Sequence, residues 1–442
     1  MSFMKSEKSS KSSKKSELFK TILALDIGTD FVRAVLAAPV ETENGKKSRG
    51  GLTDGNMKIL AFSKVRQLPG NMSRGAIANI NGVIKTCEEA VSEIEKKSGR
   101  SAKNVVVGIS GEHAKGEVTT IRYRRDSPNK TITSGELDEL MSKIETRAEK
   151  KVKNEILMEM DSPDVELSLV NSALVSLSID GYKINNPVGF RGAEVLIEYY
   201  TAFAPTISVS AIEKVCVELE LELLAVAVNP FAVCRAILGD EIDADFSAVL
   251  VDIGGGTTDI GVIDAGEICG TKSLNLAGID FTHQIANLLG VRPITAEKYK
   301  INLENEDILS DSVISKTMGA SRQSLSIWLA GLSIALEDFR NVSRLPEDIF
   351  ISGGSSKFIP LEEALATSDW FGDLCFEKRP VIHLIDIFNL PNFTFSENEE
   401  ENMGLDEGFL TALGLVRVAV DTVLVSPESH GLKAKISRLL SH

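Results

Sequence analysis

The sequence predicts an α/β protein made of two copies of one unit, with a β-α-β-β piece inserted into the first copy. Three observations lead there. An apolar strand, a glycine turn and a return strand, LALDIGTDFVRAVLA from Leu23, recur about 226 residues downstream as AVLVDIGGGTTDIGV from Ala248. A repeat at half the chain length reads as a duplicated unit, not as a solenoid array. A third segment, DIFISGGSSKFIPLEEAL from Asp348, has strand, Gly-Gly turn and helix character. Between residues 111 and 191, strand-like alternation brackets one helical stretch, which gives the inserted piece its pattern.

Composition bounds the rest. At roughly 150 residues per domain, 442 residues predict two to four domains. An apolar content of 43% supplies enough core to exclude wholesale disorder. The balance of 63 Asp and Glu against 48 Lys and Arg gives a net charge of −15, which argues against nucleic acid as a partner, because backbone recognition needs a basic stripe. The longest apolar run, Leu221 to Leu238, carries Glu222 and Arg235, so no spanning helix is expected. Five scattered cysteines without a CxxC pair, and a Lys- and Ser-rich start without an apolar signal core, fit a reduced cytosolic setting.

Ordered structure is expected from Thr21, after a basic arm over residues 1–20. Thr21–Thr29 and Phe31–Ala38 read as a hairpin, Glu41–Asn56 as an exposed loop, and Met57–Arg66 as a third strand. Apolar residues at Ile80, Val83, Ile84, Cys87, Ala90, Val91 and Ile94 predict an amphipathic helix, followed by a buried strand over Lys103–Ser110. In the insert, a helix is expected over about Ser134–Lys151 and a strand over Glu166–Asp180. Glu194–Pro205 reads as a return to the first lobe, Thr206–Glu220 as a helix, and Leu221–Pro230 as a strand running into a turn.

The glycine turns carry the chemistry. Each follows a buried strand, at the sheet edge where ligand crevices form. Glycine lets backbone N–H groups converge on an anion with no Cβ in the way. The strand-end carboxylates Asp26 and Asp252 suit magnesium, held through water, because this hard cation prefers oxygen and keeps part of its hydration shell. Thr29, Thr257 and Thr258 bring hydroxyls to the same place. A single DIGT is a plain hairpin turn; its pairing with DIGGGTTD points to a phosphate cleft. Gly353 and Gly354 let the backbone lie flat against a ligand, and the helix from Ile359 turns its positive end toward it.

Two such turns followed by a Gly-Gly loop, in this order, resemble the actin-like ATPase superfamily, whose duplicated lobes have a ribonuclease H-like fold. Within it the chain is similar to the FtsA family of bacterial division proteins, over about Thr21 to Val420. The segments carrying this are LALDIGTDFVRAVLA, SRGAI at Ser73, KNVVVGISGEH, NNPVGFRG at Asn185, VDIGGGTTDIGV, AGIDFTHQIA at Ala277 and ISGGSSKFIPL. Where that family has a Glu- and Arg-containing helix, Ser324–Phe339 is largely apolar.

The resemblance implies ATP with Mg2+. Asp26, Gly28 and Thr29 would form the first phosphate loop, and Asp252, Gly254, Gly255, Gly256, Thr257 and Thr258 the second. Gly353, Gly354 and Ser355 would form the adenosine loop. Glu297 and Lys300 would border the nucleoside, the alternative being a solvated pair on a helix. Asn229 is a weak candidate for orienting water, and no other catalytic residue is implied.

The implied division is a first lobe over 21–110 and 192–245, an insert of SHS2 type over 111–191, and a second lobe over 246–276 and 347–420. A small subdomain would cover 277–346, and a linker and tail 421–442. In that tail Leu432, Ile436, Leu439 and Leu440 share one helical face, flanked by Lys433, Lys435 and Arg438. A basic amphipathic helix of this kind lies in the interface of an anionic membrane, or docks on the protein body. The resemblance thus implies an ATP-binding structural adaptor, not a turnover enzyme. It would sit peripherally on the cytoplasmic face of the cell membrane at the division site. Its partners would be copies of itself, the C-terminal tail of the tubulin-like FtsZ, and later division proteins. The alternatives are a PilM-like pilus-assembly scaffold and, from a different class, a small-molecule kinase of the same superfamily.

Overall fold

The computed structural model describes residues 21–40, 56–111, 114–160, 165–184, 186–239, 245–305, 307–339, 342–367 and 369–424. The basic arm, most of the 41–56 loop and the tail with Leu432, Lys433, Lys435, Ile436, Arg438, Leu439 and Leu440 lie outside the described residues.

Strands β1 (Ile22–Ile27), β2 (Phe31–Pro39) and β3 (Met57–Arg66) form an antiparallel meander. A two-residue ladder of β4 (Met72–Ser73) and β5 (Ala76–Ile77) leads into helix α1 (Ile80–Ser98). This helix buries Val83, Cys87, Ala90 and Ile94 on one stripe. Asn79 caps its start by accepting from the Gly82 N–H at 3.3 Å, and Gly99, with φ +64°, closes its end in the left-handed conformation glycine adopts without strain. Strand β6 (Asn104–Ile109) then runs parallel to β1.

The insert follows as β7 (Lys115–Arg124), α2 (Ser134–Met160), β8 (Leu167–Ile179), the two-residue β9 (Tyr182–Lys183) and β10 (Glu194–Pro205). Strand β10 lies between β7 and β8, antiparallel to both. The segment expected to return to the first lobe is therefore the central strand of the insert. Its type is a matter of local pattern, but its partners are set by register with strands far away in sequence.

Helix α3 (Thr206–Glu218), β11 (Glu222–Val228) and α4 (Asn229–Leu238) complete the first lobe, with β11 parallel to β6. The second lobe repeats the pattern. Strands β12 (Ala248–Ile253), β13 (Thr258–Asp264) and β14 (Glu267–Leu274) form the meander. Helices α5 (Gly278–Leu289), α6 (Pro293–Ile301) and α7 (Asp311–Glu337) follow. Strand β15 (Asp348–Ser352), helix α8 (Ile359–Thr367) and strand β16 (Val381–Leu384) come next, with β15 parallel to both β12 and β16. The sheet orders are β3-β2-β1-β6-β11 and β14-β13-β12-β15-β16, so the two lobes are one topology used twice. The insert joins the second sheet where β7 meets β14 at Gly116–Thr271 and Glu117–Gly270.

The chain ends with β17 (Phe393–Thr394), the short α9 (Glu399–Asn402) and α10 (Leu410–Leu424). The expected second lobe extended to residue 420, yet β17 pairs with β3, and α10 packs on β1, β6 and α4. Residues 393–424 thus return to the first lobe, because an apolar helix seals the face of the first sheet.

Close approach between α4 and α10 depends on one glycine. A Cβ at Gly414 would sit 1.9 Å from the Ala232 carbonyl oxygen. Replacing Gly414 with Leu is expected to destabilise the protein by about 2 kcal/mol or more, since overpacking moves backbone here. Urea unfolding checks this, and an unchanged midpoint would contradict the packing.

Candidate functional site

The two glycine turns are superposable in their bonding. In the first, the Gly28 N–H donates to the Phe31 carbonyl at 3.0 Å; in the second, the Gly254 N–H donates to the Thr257 carbonyl at 2.9 Å. The register that follows places Arg33 opposite Asp26 and Asp259 opposite Asp252. The turns also touch each other. A Cβ on Gly256 would lie 2.3 Å from Thr29 Oγ1, and one on Gly255 would lie 2.8 Å from the Asp30 Cβ. Only glycine lets the lobes meet this closely.

Around this contact opens a cleft of about 1900 Å³, larger than the usual small-ligand pocket of roughly 300–1000 Å³. It is lined by Asp26, Gly28, Thr29, Asp252, Gly254, Gly255, Gly256, Thr257, Glu297, Lys300, Gly353, Gly354 and Ser355, and by Asn229. Thr258 departs from expectation. Successive strand residues face opposite ways, and with Thr257 in the cleft, Thr258 is fully buried behind it. Its hydroxyl donates to the Leu276 carbonyl at 2.6 Å and accepts from Trp328 Nε1 at 2.9 Å. Ser355 lines the cleft, but its hydroxyl donates to the Gly254 carbonyl at 2.9 Å and its N–H to Ile253. It braces the second turn. Gly353 takes φ +93°, and a Cβ there would strike the Ile253 backbone at 2.5 Å.

Glu297 and Lys300 are not a solvated pair. They meet at 2.8 Å, and Lys300, with its side chain only 9% exposed, also donates to the Gly278 carbonyl and to Thr282 Oγ1, both at 2.8 Å. Thr282 in turn donates to Glu297. The pair is anchored at one end of the cleft, with Arg292 and Asn302 beside it.

Electrostatics dominate the floor. Asp26, Asp252 and Asp259 are all buried, and Arg33 approaches Asp26 at 3.7 Å. Burial pushes the Asp26 carboxyl up to about 6, countered by Arg33 and reinforced by Asp252. Burial lifts Asp259 to about 7, with Asp252 and Asp26 adding to the rise against hydrogen bonds from Ser273 and Ser110. Asp252 is raised by burial too, although Ser352 and Thr411 donate to its two oxygens at 2.7 and 2.9 Å. Ser110, from the first lobe, reaches Asp259 at 3.0 and 3.1 Å and Thr257 at 2.9 Å, which ties the lobes together at the floor.

The site fits a polyanion bound with a cation. Arg33 Nε and Asn229 Oδ1, both buried at the cleft, have no hydrogen-bond partner among the described residues, and unpaired buried polar atoms are costly unless a ligand or water meets them. Asn229 Nδ2 is 3.4 Å from Asp26 Oδ1. Among the described residues no three His, Cys, Asp or Glu side chains are placed to hold a metal ion by themselves. A cation here would need oxygen ligands from water and from the anion, which suits magnesium. Arg33, Asp259 and Ser110 were not among the residues expected from sequence. The repeat carries the signal for two of them: Arg33 and Asp259 occupy the same place in the two copies.

Comparison with known proteins agrees with this geometry. The family model described as cell division protein FtsA matches residues 249–367, the stretch holding the second turn, the Glu297–Lys300 pair and the Gly-Gly loop. The FtsA of Streptococcus pneumoniae is 25% identical over 279 residues, covering 63% of this chain and 54% of its own. Residues 249–367 are thus similar to FtsA. The FtsA of Pseudomonas aeruginosa is 23% identical over 288 residues, covering 64% of this chain and 60% of its own. The chain thus matches little more than half the length of these curated relatives. Among solved structures, one titled the PilM-PilN type IV pilus biogenesis complex superposes with a TM-score of 0.62 at 18% identity, over 90% of this chain and 98% of that one. That likeness is one of fold alone.

The carboxylates set a pH dependence of known sign. Asp26 and Asp259 titrate higher in the folded protein than in the unfolded chain, so the folded state binds more protons and stability falls as pH rises from about 4 through about 7. Asp259→Asn removes part of that fall. In nucleotide-free, Mg-free buffer the variant is expected to be more stable than the parent at pH 8 by about 1–3 kcal/mol, with the difference gone near pH 4. Urea midpoints across this range check it.

Proposed function

We propose that this chain is an FtsA-type adaptor: an ATP-binding, self-assembling actin-like protein that links the FtsZ ring to the cytoplasmic face of the membrane and helps recruit later division proteins. The carrying observation is the pair of interlocked glycine turns over an acidic floor, within the segment that matches the FtsA family model. In this reading the two turns would take the phosphates, Arg33 would offset their charge, and Asp26 and Asp252 would hold Mg2+ through water. Glu297 accepts hydroxyls of the ribose, and the Lys300 ammonium lies against the base. Gly353 and Gly354 give the nucleoside a flat backbone surface.

In the same reading Asp259, whose pKa burial lifts to about 7 and which accepts from Ser110, would accept a proton from the attacking water. Slow hydrolysis fits this arrangement, while the nucleotide acts chiefly as a clamp between the lobes. Among the described residues no helix is long and apolar enough to cross a membrane. Attachment is assigned to the basic amphipathic segment Leu432–Leu440, whose weak individual affinity gains by multivalency when chains assemble.

The test is electron microscopy of the full chain on anionic lipid monolayers with Mg-ATP, paired with liposome co-sedimentation. Filaments on lipid are expected, and removal of Leu432–His442 is expected to abolish sedimentation with liposomes. Undiminished lipid binding without the tail would overturn the tether.

A further inference from the structure

The largely apolar helix α7 has a second face that the cleft does not use. Its buried stripe, with Leu325, Trp328, Leu332 and Leu336, packs on the second sheet. On the other side Ile334 is 66% exposed, and with Ala330 it forms one wall of a groove of about 740 Å³. Pro360 and Ala364 of α8 and Trp370 and Leu374 beyond it form the opposite wall. The groove is held open by structure: Ser333 donates to the Trp370 carbonyl at 2.8 Å, and Trp370 Nε1 donates to Leu365 at 3.2 Å.

The rim is acidic. Glu337, Glu363, Asp369 and Asp373 line it, and Arg322, the one cation among its described lining residues, lies 3.4 Å from Glu363. An apolar trough edged with carboxylates selects a basic amphipathic helix, the helix-in-groove mode. The protein contains one such segment outside the described residues: Leu432, Ile436, Leu439 and Leu440 on one face, with Lys433, Lys435 and Arg438 beside them. Nine residues in a helix span about 13 Å.

Topology decides whose tail it is. In β12, Ala248 and Leu250 face the core shared with α4 and α10, whereas Val249, Val251 and Ile253 face α5, α7 and α8. The groove therefore lies on the opposite side of the second sheet from α10, which ends at Leu424 in the first lobe. Residues 425–431, fully extended, reach at most about 25 Å.

We infer that the groove between α7 and α8 receives the C-terminal segment Leu432–Leu440 of a second copy of this chain. Such a contact joins two different surfaces and so propagates head to tail. It also withholds the segment from a bilayer, since the same apolar face cannot serve both. The inference shares with the proposed function only the amphipathic reading of the tail and is independent of nucleotide.

The experiment is zero-length carbodiimide cross-linking of the full chain, without lipid, in an equal mixture of unlabelled and 15N-labelled protein. Mixed-isotope peptides joining Lys433 or Lys435 to Glu337, Glu363, Asp369 or Asp373 are expected. Ile334→Asp keeps every carboxylate and alters an exposed side chain, so the fold survives; it should lower their yield about tenfold, the effect of roughly 1.4 kcal/mol. Links confined to a single isotope, links elsewhere on the surface, no links, or an unchanged yield in Ile334→Asp would each overturn the inference. A tail that cross-links as expected yet fails to bind anionic vesicles would sink the membrane tether and leave the groove contact standing.

Discussion

Three carboxylates share the floor of the cleft with one nearby guanidinium, and much of the structure serves to hold them there. Asp26, Asp252 and Asp259 are buried; Asp252 adds to the raised pKa of Asp26, and both add to that of Asp259. Such an arrangement is costly in a medium of low dielectric unless hydrogen bonds and opposite charge offset it. The protein meets that demand with hydroxyl groups drawn from elements far apart in sequence: Ser110, Ser273, Ser352 and Thr411. Their geometry ties the first lobe, the second lobe and the C-terminal helix to a single point.

Duplication explains how this point was built. The same hairpin, with the same turn bond and the same register, ends the first strand of each lobe, and both sheets run in the same order. The copies differ where it matters chemically: the position opposite the strand-end aspartate is Arg33 in one and Asp259 in the other. One copy brings a guanidinium to the cleft and the other a carboxylate. Gly255 and Gly256 let the two copies interlock without side chains between them.

Much of this was legible in the sequence because it is local. The paired turns, the Gly-Gly loop, helix α1 and the β-α-β part of the insert all follow from spacing and residue type. What was not legible depends on partners. Strand β10 has the pattern of any buried strand, and its place between β7 and β8 comes from long-range pairing. Thr258 stands next to Thr257 in sequence, but the two-residue period of a strand sends its hydroxyl to Trp328 and Leu276. Likewise, α10 follows the second lobe in the chain but seals the first. The apolar run in α7, a departure from the family pattern, is explained by the burial of Leu325, Trp328, Leu332 and Leu336.

The account stands on the two turns acting as one phosphate clamp. Amide hydrogen exchange of the full chain, with and without Mg-ATP, measures this directly. Slowed exchange in both Asp26–Thr29 and Asp252–Thr257, rising together with nucleotide concentration, is the predicted result. Slowed exchange in one turn alone, or in neither, would contradict it.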